Sequence, residues 1–529
     1  MSGPAAQTKR AIHVFLLPVY PVLFLYAHNI GQLSLRMLAI PLAVVAVCAA
    51  LCYLSLRITL KDTLKAAALT SVIFVLFFSF GHLRQLAVVF CGLLSRAGIT
   101  LEPQALLYAG WLIVLLYAIR AITRPGRDLK VFTHFLNVTA LVLAAYSLAA
   151  ILWYEVNRLN VPGSVAKDRG HETRQGEGAL KEQLPNIYFI LMDAYGGNEI
   201  LRDVYGYDNK DFLAFLAGKG FYVAGKSHSN YMRTGPSVTA TLNMDYLDAL
   251  VQRLGPDYDN VAPIKNMAEE NKLFSFLRER GYTIVVFSSG QIETEIRNAD
   301  VCLAHNWTAD EFQNELLSAT PLPVILGLFG AEDQFEARRK RILYIFDRLP
   351  YAADGRSPAF VFAHIFAPHP PFVFGPDGQR VKADPVFRNL DGDQLITEGG
   401  LSREAYREHY VGQLIFMNKE LKKAISAILA RSKRPPVIIL QSDHGPRSML
   451  FWDSPENTDC AECTSMLNAI YMPGVDSSVL YDSISPVNTF RVVLDSYFGA
   501  GYGLLEDRSY FSNDRHPYRF IDITDRIRR

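Results

Sequence analysis

The strongest pattern in the chain is a set of long apolar runs confined to its first 155 positions. Each run is close to the roughly 20 residues that a helix needs to cross the hydrocarbon core of a bilayer. The pattern therefore predicts a transmembrane domain of five helices over residues 1–155. The expected helices cover residues 11–29, 37–56, 64–82, 104–122 and 132–154. A further apolar segment, Leu86–Leu94, is too short to cross, so we expect it to lie in the membrane interface or against the other helices.

Basic residues between these runs indicate the orientation of the helices. One set of loops carries nine, which are Lys9, Arg10, Arg57, Lys61, Lys65, Arg120, Arg124, Arg127 and Lys130. The opposite loops carry three, which are Arg36, Arg84 and Arg96. Because cytoplasmic loops are enriched in Lys and Arg, we expect a cytoplasmic N-terminus and, after five crossings, a C-terminal part outside the cytoplasm. No predicted helix carries Asp, Glu or Lys at its centre, which favours a role as an anchor over solute transport.

Beyond the apolar region the pattern changes twice. Residues 156–184 are polar and rich in Gly, Lys, Glu and Arg, which predicts a solvated linker. From 185 to 529, short apolar runs alternate with amphipathic stretches, which predicts an α/β domain with a mainly parallel sheet between helices. Four consecutive apolar residues at 437–440 indicate a strand that is buried on both faces. Gly375–Gly400 is irregular and polar, which predicts a long loop of the kind that serves as a lid.

Composition adds two limits to this picture. The net charge of the 529-residue chain is +1, so the chain lacks the basic excess of a typical nucleic-acid binder. Cys460 and Cys463 form a Cys-x-x-Cys motif, but a zinc knuckle would need a second pair nearby, and the sequence has none. Outside the cytoplasm, a disulfide that closes this small loop is the expected state.

Acidic residues end two of the predicted strands. Asp193 follows an apolar run at 186–192, and Asp443 with His444 follows the strand at 437–440. Parallel strands end at one edge of a sheet, where ligands collect, so these side chains can meet. Two adjacent carboxylates repel unless a proton or cation lies between them, and carboxylate oxygens with an imidazole nitrogen suit a divalent metal. Taken singly, each acidic residue is also explained as a turn or a helix cap.

A hydroxyl group stands at the start of another predicted element. Thr234 lies just before an expected helix, and Pro236 is well placed for the first turn of that helix. Backbone N–H groups and the positive end of the helix dipole favour an alkoxide nucleophile and an anionic phosphoryl group at this position. The alternative that Thr234 or Ser237 is only an N-cap stays open.

Two histidines follow a further strand. Prolines on both sides restrict the backbone at His369, which could donate a hydrogen bond to a charged oxygen or act as an acid or base. His364 could bind a second metal ion or orient the first set of ligands. Arg233, Asn230 and Arg447 flank the other candidates and could bind substrate oxygens, although a surface role explains them equally well.

In this order, a strand-ending Asp, a hydroxyl at a helix start, His-x(3)-Pro-His-Pro-Pro-Phe and Ser-Asp-His-Gly resemble the alkaline phosphatase/sulfatase superfamily, over about residues 185–500. A membrane anchor with an outer domain of this type resembles lipoteichoic acid synthases and lipid A phosphoethanolamine transferases. The resemblance implies a sulfatase-like α/β fold in which Asp193, Thr234, Asp443 and His444 bind a divalent ion. It also implies Thr234 as the nucleophile and His369 as a contact of the transferred group. Those transferases usually carry Glu where this chain has Asp193.

The same resemblance implies a function in the bacterial cell envelope. We expect an inner-membrane phosphotransferase that moves a phosphoglycerol or phosphoethanolamine head group from a phospholipid donor to an envelope glycan or lipid, through a phospho-threonine and with Mn, Zn or Mg. Sulfatases need Cys or Ser followed by x-Pro-x-Arg, and the stretch Thr234–Val238 has neither feature, which disfavours sulfate-ester hydrolysis. Two alternatives remain, a sulfatase-like phosphodiesterase or sulfate-ester hydrolase and a non-catalytic envelope scaffold.

Overall fold

The computed structural model describes residues 11–30, 35–96, 103–160, 184–305, 311–323, 325, 333–356, 358–381, 390–398 and 400–527. The chain forms two compact units. The first combines Met1–His171 with Ala309–Ala331, and the second combines Glu172–Thr308 with Glu332–Arg529. Residues 309–331, which the sequence pattern places inside the outer domain, therefore belong to the first unit. Most of the predicted linker, residues 161–183, lies outside the described residues.

The first unit is helical. Its described helices are α1 (His13–His28), α2 (Ala39–Leu60), α3 (Thr63–Arg96), α4 (Pro103–Thr123), α5 (Lys130–Asn160) and, from later in the chain, α12 (Glu311–Ser318). Four segments are long and apolar enough to cross a membrane, and they are Ala39–Leu60, Thr63–Arg84, Ala105–Thr123 and Lys130–Val156. The helix α1 has 16 residues, about 24 Å, which is shorter than a bilayer core of about 30 Å. The described residues thus give four spans by length, with a shorter apolar helix before them.

The segment Leu86–Leu94 is part of a longer helix, and its Ala87 packs with Phe80 and with Leu107 of α4, which agrees with the expectation that it lies against the other helices. The helix α3 runs without a break for 34 residues, about 51 Å, and includes this segment. The polar residues that suggested an end, His82 and Arg84, do not stop a helix, because neither removes a backbone donor or favours a left-handed turn. Polarity at the end of an apolar run marks the limit of a membrane span but not the limit of a helix.

Close backbone contact joins α3 to the segment that follows α12. The N–H of Gly81 donates a 2.9 Å hydrogen bond to the carbonyl of Ala319. A Cβ atom at Gly81 would lie 2.8 Å from Cα of Ala319, so only glycine permits this approach. Nearby, the ring of Phe312 on α12 packs edge-on against Tyr26 of α1 at a centroid distance of 6.3 Å. The segment from the middle of the chain is thus packed into the helical unit.

The second unit alternates helices and strands, as the sequence pattern predicts. In chain order they are β1 (Ile187–Asp193), α6 (Asn198–Asp203), α7 (Lys210–Gly218), β2 (Tyr222–Val223), α8 (Thr234–Asn243), α9 (Asp248–Leu254), α10 (Ala262–Glu269), α11 (Lys272–Glu279), β3 (Thr283–Phe287), β4 (Val301–Leu303), α13 (Gln334–Arg348), β5 (Ala359–Pro368), α14 (Gly392–Thr397), α15 (Arg403–Arg431), β6 (Val437–Ser442), α16 (Cys460–Thr464), β7 (Asn468–Tyr471), α17 (Pro486–Phe498), β8 (Tyr510–Phe511), β9 (Ile521–Asp522) and α18 (Thr524–Ile527).

A seven-stranded mixed sheet organises this unit. Its strand order is β2-β7-β6-β1-β5-β3-β4. The run from β6 to β4 is parallel, and β7 pairs antiparallel with both β6 and β2. The prediction of an α/β domain with a mainly parallel sheet is therefore confirmed.

The central strand β1 is buried on both faces. Tyr188, Ile190 and Met192 point into one apolar core, while Phe189 and Leu191 point into the other. This alternation follows from the two-residue period of a strand, with a helical layer on each face of the sheet. A strand held on both faces and between two parallel neighbours gives a rigid support for the residues at its carboxyl end.

Candidate active site

The carboxyl ends of three neighbouring strands bring four of the predicted residues together. His364 lies on β5 opposite Leu191 of β1. Asp193 ends β1, while Asp443 and His444 directly follow β6. All four polar side chains are buried, each with at most 1% of its surface exposed. Parallel strands end at the same edge of the sheet, which explains why residues 250 positions apart meet there.

Three of these residues form a candidate metal centre. One ligand atom from each of Asp193, His364 and Asp443 lies within 4.8 Å of the others. Nε2 of His444 is 3.3 Å from Oδ2 of Asp443 and 3.5 Å from Oδ1 of Asp193. Among the described residues, both oxygens of Asp193, Oδ2 of Asp443 and Nε2 of His364 are buried without a hydrogen-bond partner. Because unpaired buried polar atoms are costly, this set of oxygen and nitrogen donors fits a divalent cation.

The remaining carboxylate oxygen of Asp443 is held by backbone groups. Its Oδ1 accepts hydrogen bonds from the N–H groups of Ala194 (3.1 Å) and His444 (2.9 Å). Ala194 has a φ of 63°, a left-handed conformation that costs a non-glycine residue about 1–2 kcal/mol. Backbone strain of this kind is typical of functional sites. Here the strained residue, Ala194, is the one whose N–H donates to the carboxylate of Asp443. Oδ2 is left to face the cluster.

Thr234 is the first residue of α8 and lies beside the cluster. It is 6% exposed, and its Oγ1 is 3.2 Å from Nε2 of His444. The N-cap position belongs to Arg233, whose side chain makes no capping hydrogen bond. The hydroxyl of Ser237 instead donates to the backbone carbonyl of Asp443 at 2.6 Å. Neither hydroxyl therefore acts as the N-cap that the sequence left open as an alternative.

The N-terminus of α8 is capped by a residue from a distant loop, Glu293. Its Oε2 accepts a 2.8 Å hydrogen bond from the N–H of Gly235. Its Oε1 lies 3.4 Å from Nη2 of Arg233, which also forms a 2.8 Å ion pair with Asp514. No local pattern in the sequence indicates this role, because the contact depends on how the loop after β3 packs.

His369 is paired with a carboxylate that the sequence pattern did not single out. Oδ2 of Asp391 lies 3.2 Å from Nε2 of His369 and 3.0 Å from Nη1 of Arg447. Oδ1 of Asp391 accepts a 3.2 Å hydrogen bond from the hydroxyl of Tyr406. Arg447 also donates to the backbone carbonyl of Met232, close to the start of α8. Asp391 thereby connects the predicted acid to the segment that carries Thr234.

The predicted loop Gly375–Gly400 is partly helical. Asp391 is the N-cap of α14, and its Oδ1 accepts a 2.8 Å hydrogen bond from the N–H of Gly392. Residues 382–389 and 399 lie outside the described residues. An Asp before a short amphipathic stretch is a recognisable N-cap signal. That signal could have located the helix, but it does not say which side chains the carboxylate meets.

Burial and neighbouring charges set the pKa values of these groups. Burial alone would raise the pKa of Asp193, but the adjacent histidines, His369 foremost, hold it below its ordinary range. The same opposition, with His369 and Arg447 as the favourable charges, holds the pKa of Asp391 low. Burial alone would lower the pKa of His369, but Asp193 and Asp391 raise it above its ordinary value. Burial and then Arg447 lower the pKa of His444, which favours the neutral imidazole that binds metal ions.

A buried guanidinium group fixes the backbone around His369. Arg338 of α13 donates to the carbonyls of Phe366 (2.6 Å), His369 (2.7 Å) and Pro370 (3.2 Å). Burial lowers the pKa of Arg338 to about 9, against a smaller opposing effect of Asp193. These three hydrogen bonds from Arg338 fix the backbone of the segment that carries His369.

The other predicted substrate contacts take different places. Asn230 donates from its amide to Tyr246, Ser485 and Arg508, at distances of 2.9–3.1 Å. None of these contacts is with the cluster, so within the described part of the chain Asn230 supports the fold near α17. Arg233 and Arg447 flank the site through the ion pairs described above. Of the three residues, Asn230 is the one that the structure does not bring to the cluster.

The expected disulfide in the Cys-x-x-Cys motif is not formed. Cys460 and Cys463 are both buried free thiols on the helical turn α16. Cβ atoms three residues apart on a helix are about 5–6 Å apart, farther than the 3.5–4.5 Å that a disulfide requires. The carbonyl of Cys463 accepts a 2.9 Å hydrogen bond from the N–H of Gly445. The motif therefore contributes a packed helical turn beside the Asp-His-Gly segment.

The residues of this site lie within a stretch of the chain that matches a known protein family. Residues 185–462 match a protein-family model described as Sulfatase, which covers more than half of the chain. The chain belongs to the sulfatase family. The resemblance to the alkaline phosphatase/sulfatase superfamily is therefore confirmed, as is the prediction of an enzyme of that superfamily. The stretch Thr234–Val238 has neither the convertible Cys or Ser nor the Arg that the resemblance associates with sulfate-ester hydrolysis.

Solved structures are similar to this chain at low sequence identity. The C-terminal periplasmic domain of EcEptC from Escherichia coli, in complex with zinc, is 12% identical, with a TM-score of 0.42 over 64% of this chain and 92% of that chain. The integral membrane protein lipooligosaccharide phosphoethanolamine transferase A from Neisseria meningitidis is 15% identical, with a TM-score of 0.39 over 91% and 94%. The phosphonate monoester hydrolase of Agrobacterium radiobacter is 12% identical, with a TM-score of 0.39 over 62% and 80%. Similarity at this distance does not show a shared function. A search of curated proteins finds no match.

Proposed function

We propose that this sulfatase-family protein is a membrane-anchored, metal-dependent phosphotransferase. It would move a phosphoglycerol or phosphoethanolamine head group from a phospholipid to an envelope glycan or lipid, through a phospho-threonine at position 234. The observation that carries the proposal is the position of Thr234. Thr234 is the first residue of a buried helix, and within the described residues its hydroxyl does not cap the N-terminus of that helix. The hydroxyl lies 3.2 Å from Nε2 of His444 in the candidate metal centre. A hydroxyl so placed suits a nucleophile better than a structural group.

The side chains present would hold a divalent ion such as Mn, Zn or Mg. Asp193, Thr234, Asp443 and His444 are the ligands predicted from the sequence, and the cluster geometry adds Nε2 of His364. When bound, such an ion supplies positive charge that stabilises an alkoxide and a phosphoryl group. The two oxygens of Asp443 have different roles. Backbone N–H groups hold Oδ1, and Oδ2 faces the cluster.

The protein groups account for the two chemical steps. Oγ1 of Thr234 forms a bond to phosphorus while the bond from phosphorus to the diacylglycerol oxygen breaks. His369, whose raised pKa favours the imidazolium, can supply the proton that this oxygen needs. A hydroxyl of the acceptor then attacks phosphorus and gives its proton to the now neutral His369, while the bond from phosphorus to Oγ1 breaks and releases Thr234 as the alkoxide that began the cycle. Arg447 and His369 both contact Oδ2 of Asp391, so Arg447 is held close to His369. From there its guanidinium can balance the negative charge of the phosphoryl oxygens.

The membrane topology is part of the proposal. We infer that α1 is a fifth crossing, that the N-terminus is cytoplasmic, and that the catalytic unit lies outside the bacterial inner membrane. The distribution of basic residues between the apolar runs supports this orientation. Reporter fusions test it: an alkaline phosphatase fused after residue 529 should be active, and one fused after residue 61 should be inactive. The opposite pattern would contradict the orientation.

Trapping the intermediate tests the chemistry. After brief incubation of the detergent-solubilised chain with phospholipid, we expect mass spectrometry to find a phosphorylated peptide containing Thr234, with the head group attached. Thr234→Ala should abolish turnover, while Thr241→Ala, on the same helix but bonded only within it, should retain activity. Turnover retained by the Thr234→Ala variant would exclude Thr234 as the nucleophile.

Labelled phospholipid then separates transfer from hydrolysis. Diacylglycerol together with a modified envelope glycan or lipid would support the transferase. Free head group as the main product, with the same dependence on Thr234, would instead favour the phosphodiesterase alternative.

A further inference from the structure

A chain of hydroxyl groups lies behind His364, on the side away from the cluster. Nδ1 of His364 is 2.7 Å from Oγ1 of Thr294, and both residues are buried. Thr294 belongs to the loop between β3 and β4, none of whose residues the sequence pattern marked as functional. The adjacent residue in this loop, Glu293, caps α8, so one short loop touches both the nucleophile helix and the candidate metal centre.

The far end of this chain determines the direction of its hydrogen bonds. The hydroxyl of Thr294 donates to Oγ of Ser289 at 3.2 Å. Oγ of Ser289 in turn donates to the carbonyl of Gln291 at 3.3 Å and lies 3.4 Å from Oε2 of Glu295. A carbonyl and a carboxylate can only accept, so the single proton of Ser289 points toward them. Donation of the Thr294 proton to Ser289 leaves Oγ1 of Thr294 to accept from Nδ1–H of His364, which is the arrangement that we infer.

The loop that carries these groups is held in one conformation. Glu295 accepts hydrogen bonds from the hydroxyl of Ser288 at 2.8 Å and from the N–H of Gly290 at 3.0 Å. Gly290 has a φ of 72°, and a Cβ there would meet the guanidinium of Arg341. Only glycine combines this φ with this close approach. Thr294 is therefore held in place by a loop built around Glu295 and is not free to turn away from His364.

We propose that Thr294 is a positioning residue that holds His364 in the tautomer with the proton on Nδ1. In that tautomer Nε2 has a free electron pair, and Nε2 is the atom that lies among the carboxylates of Asp193 and Asp443. Nε2 is buried and lies 3.4 Å from Oδ2 of Asp193, but within the described residues it makes no hydrogen bond, which fits a nitrogen that can bind a cation. The inference rests on the metal centre of the proposed function and adds Thr294, Ser289 and Glu295 to it. Supporting groups of this kind typically change metal affinity about 10- to 100-fold when removed.

Metal titration of the full-length chain in detergent tests the proposal without any substrate. The protein is stripped with a chelator, and its dissociation constants for Zn²⁺ and Mn²⁺ are measured by competition with a chromophoric chelator. Thr294→Val, which keeps the shape but removes the acceptor, should weaken binding about 10- to 100-fold. Thr294→Ser should restore affinity close to that of the unsubstituted protein.

The chain offers a matched control. Oγ1 of Thr464 is 2.9 Å from Nδ1 of His228, a second, partly buried Thr–His contact that involves none of the cluster residues. Thr464→Val should therefore leave the metal affinity unchanged even if it costs similar stability. Should Thr294→Val fail to fold, Ser289→Ala breaks the chain one step farther from His364 and is also expected to weaken binding.

Each result of the titration decides one question. Equal affinities for Thr294→Val and the unsubstituted protein, or for Ser289→Ala where Thr294→Val does not fold, would overturn the positioning role. Such a result would leave the metal centre and the phosphotransferase proposal standing. If the unsubstituted protein bound neither ion, the metal centre itself would be excluded, and this inference with it.

Discussion

The hydroxyl of Ser237 donates a 2.6 Å hydrogen bond to the backbone carbonyl of Asp443. This bond ties the first turn of α8 to the end of β6. Ser237 is three residues after Thr234, so the two side chains share one face of the helix. The same face therefore presents one hydroxyl to the strand end and the other to Nε2 of His444. The position of the proposed nucleophile relative to the cluster depends on this contact.

Ser237→Ala should reduce turnover without unfolding the protein. Loss of one buried hydrogen bond costs about 1 kcal/mol of stability, whereas a small displacement of Thr234 can reduce kcat by about 10- to 100-fold. Steady-state kinetics and thermal unfolding in detergent measure the two effects. Ser275→Ala is the control, since Ser275 bonds only within its own helix, α11. A kcat equal to that of the control would show that the contact does not position Thr234.

Asp391→Asn should move the alkaline limb of the pH–rate profile to lower pH. Burial alone lowers the pKa of His369, and the carboxylates of Asp193 and Asp391 raise it. A group with a raised pKa is protonated below that value and loses its proton, and the stability gained from it, as the pH rises through it. Removal of one carboxylate lowers the pKa, so the active protonated form is lost earlier.

The pH profile of this variant has a close control. Asp393→Asn alters a carboxylate two positions away that accepts a hydrogen bond from the backbone of Trp452 rather than from His369. We expect its profile to match that of the unsubstituted protein. An alkaline limb that stays in place for Asp391→Asn would contradict the role of His369 as the acid.

Gly445→Ala should disrupt the cluster. A Cβ at Gly445 would meet the backbone carbonyls of Glu462 and Ser465, which cannot move without displacing α16. Overpacking of this kind costs about 1–3 kcal/mol and should shift the neighbouring His444. Metal content and thermal stability are the measurements. In Gly218→Ala, where a Cβ meets no atom within 4 Å, both should be unchanged, and the same result for Gly445→Ala would contradict the expectation.

In the helical unit, Gly81→Ala should loosen the segment that follows α12. The added Cβ would lie 2.8 Å from Cα of Ala319 and 2.9 Å from the carbonyl oxygen of Ser318. We expect a loss of about 1–3 kcal/mol and faster proteolysis within residues 311–323. Gly110→Ala is the control, because a Cβ there meets nothing within 4 Å. Equal proteolysis of the two variants would show that the close contact at Gly81 is not needed.

Much of the architecture follows from local patterns. Apolar runs of membrane length, and apolar strands that alternate with amphipathic helices, predict a helical part and an α/β part with a mainly parallel sheet, and the structure has both. Asp193 and Asp443 could be singled out because each stands at the end of an apolar strand, a position that the sequence shows directly. Thr234 was recognised from its place before a proline-containing helix start.

Other features depended on the tertiary structure. The helix α3 continues past its apolar part, because backbone hydrogen bonding does not stop where the membrane span ends. Asp391 has the local signal of a helix N-cap, but that signal does not indicate its contacts with His369 and Arg447. Glu293 and Thr294 carry no local signal, since their partners lie 58 and 70 positions away along the chain. Sequence pattern records which residues are buried and which backbone conformations are favoured. Strand register and loop packing decide which buried groups touch, and those contacts bring the hydroxyl of Thr234, the carboxylates and the histidines to one edge of the sheet.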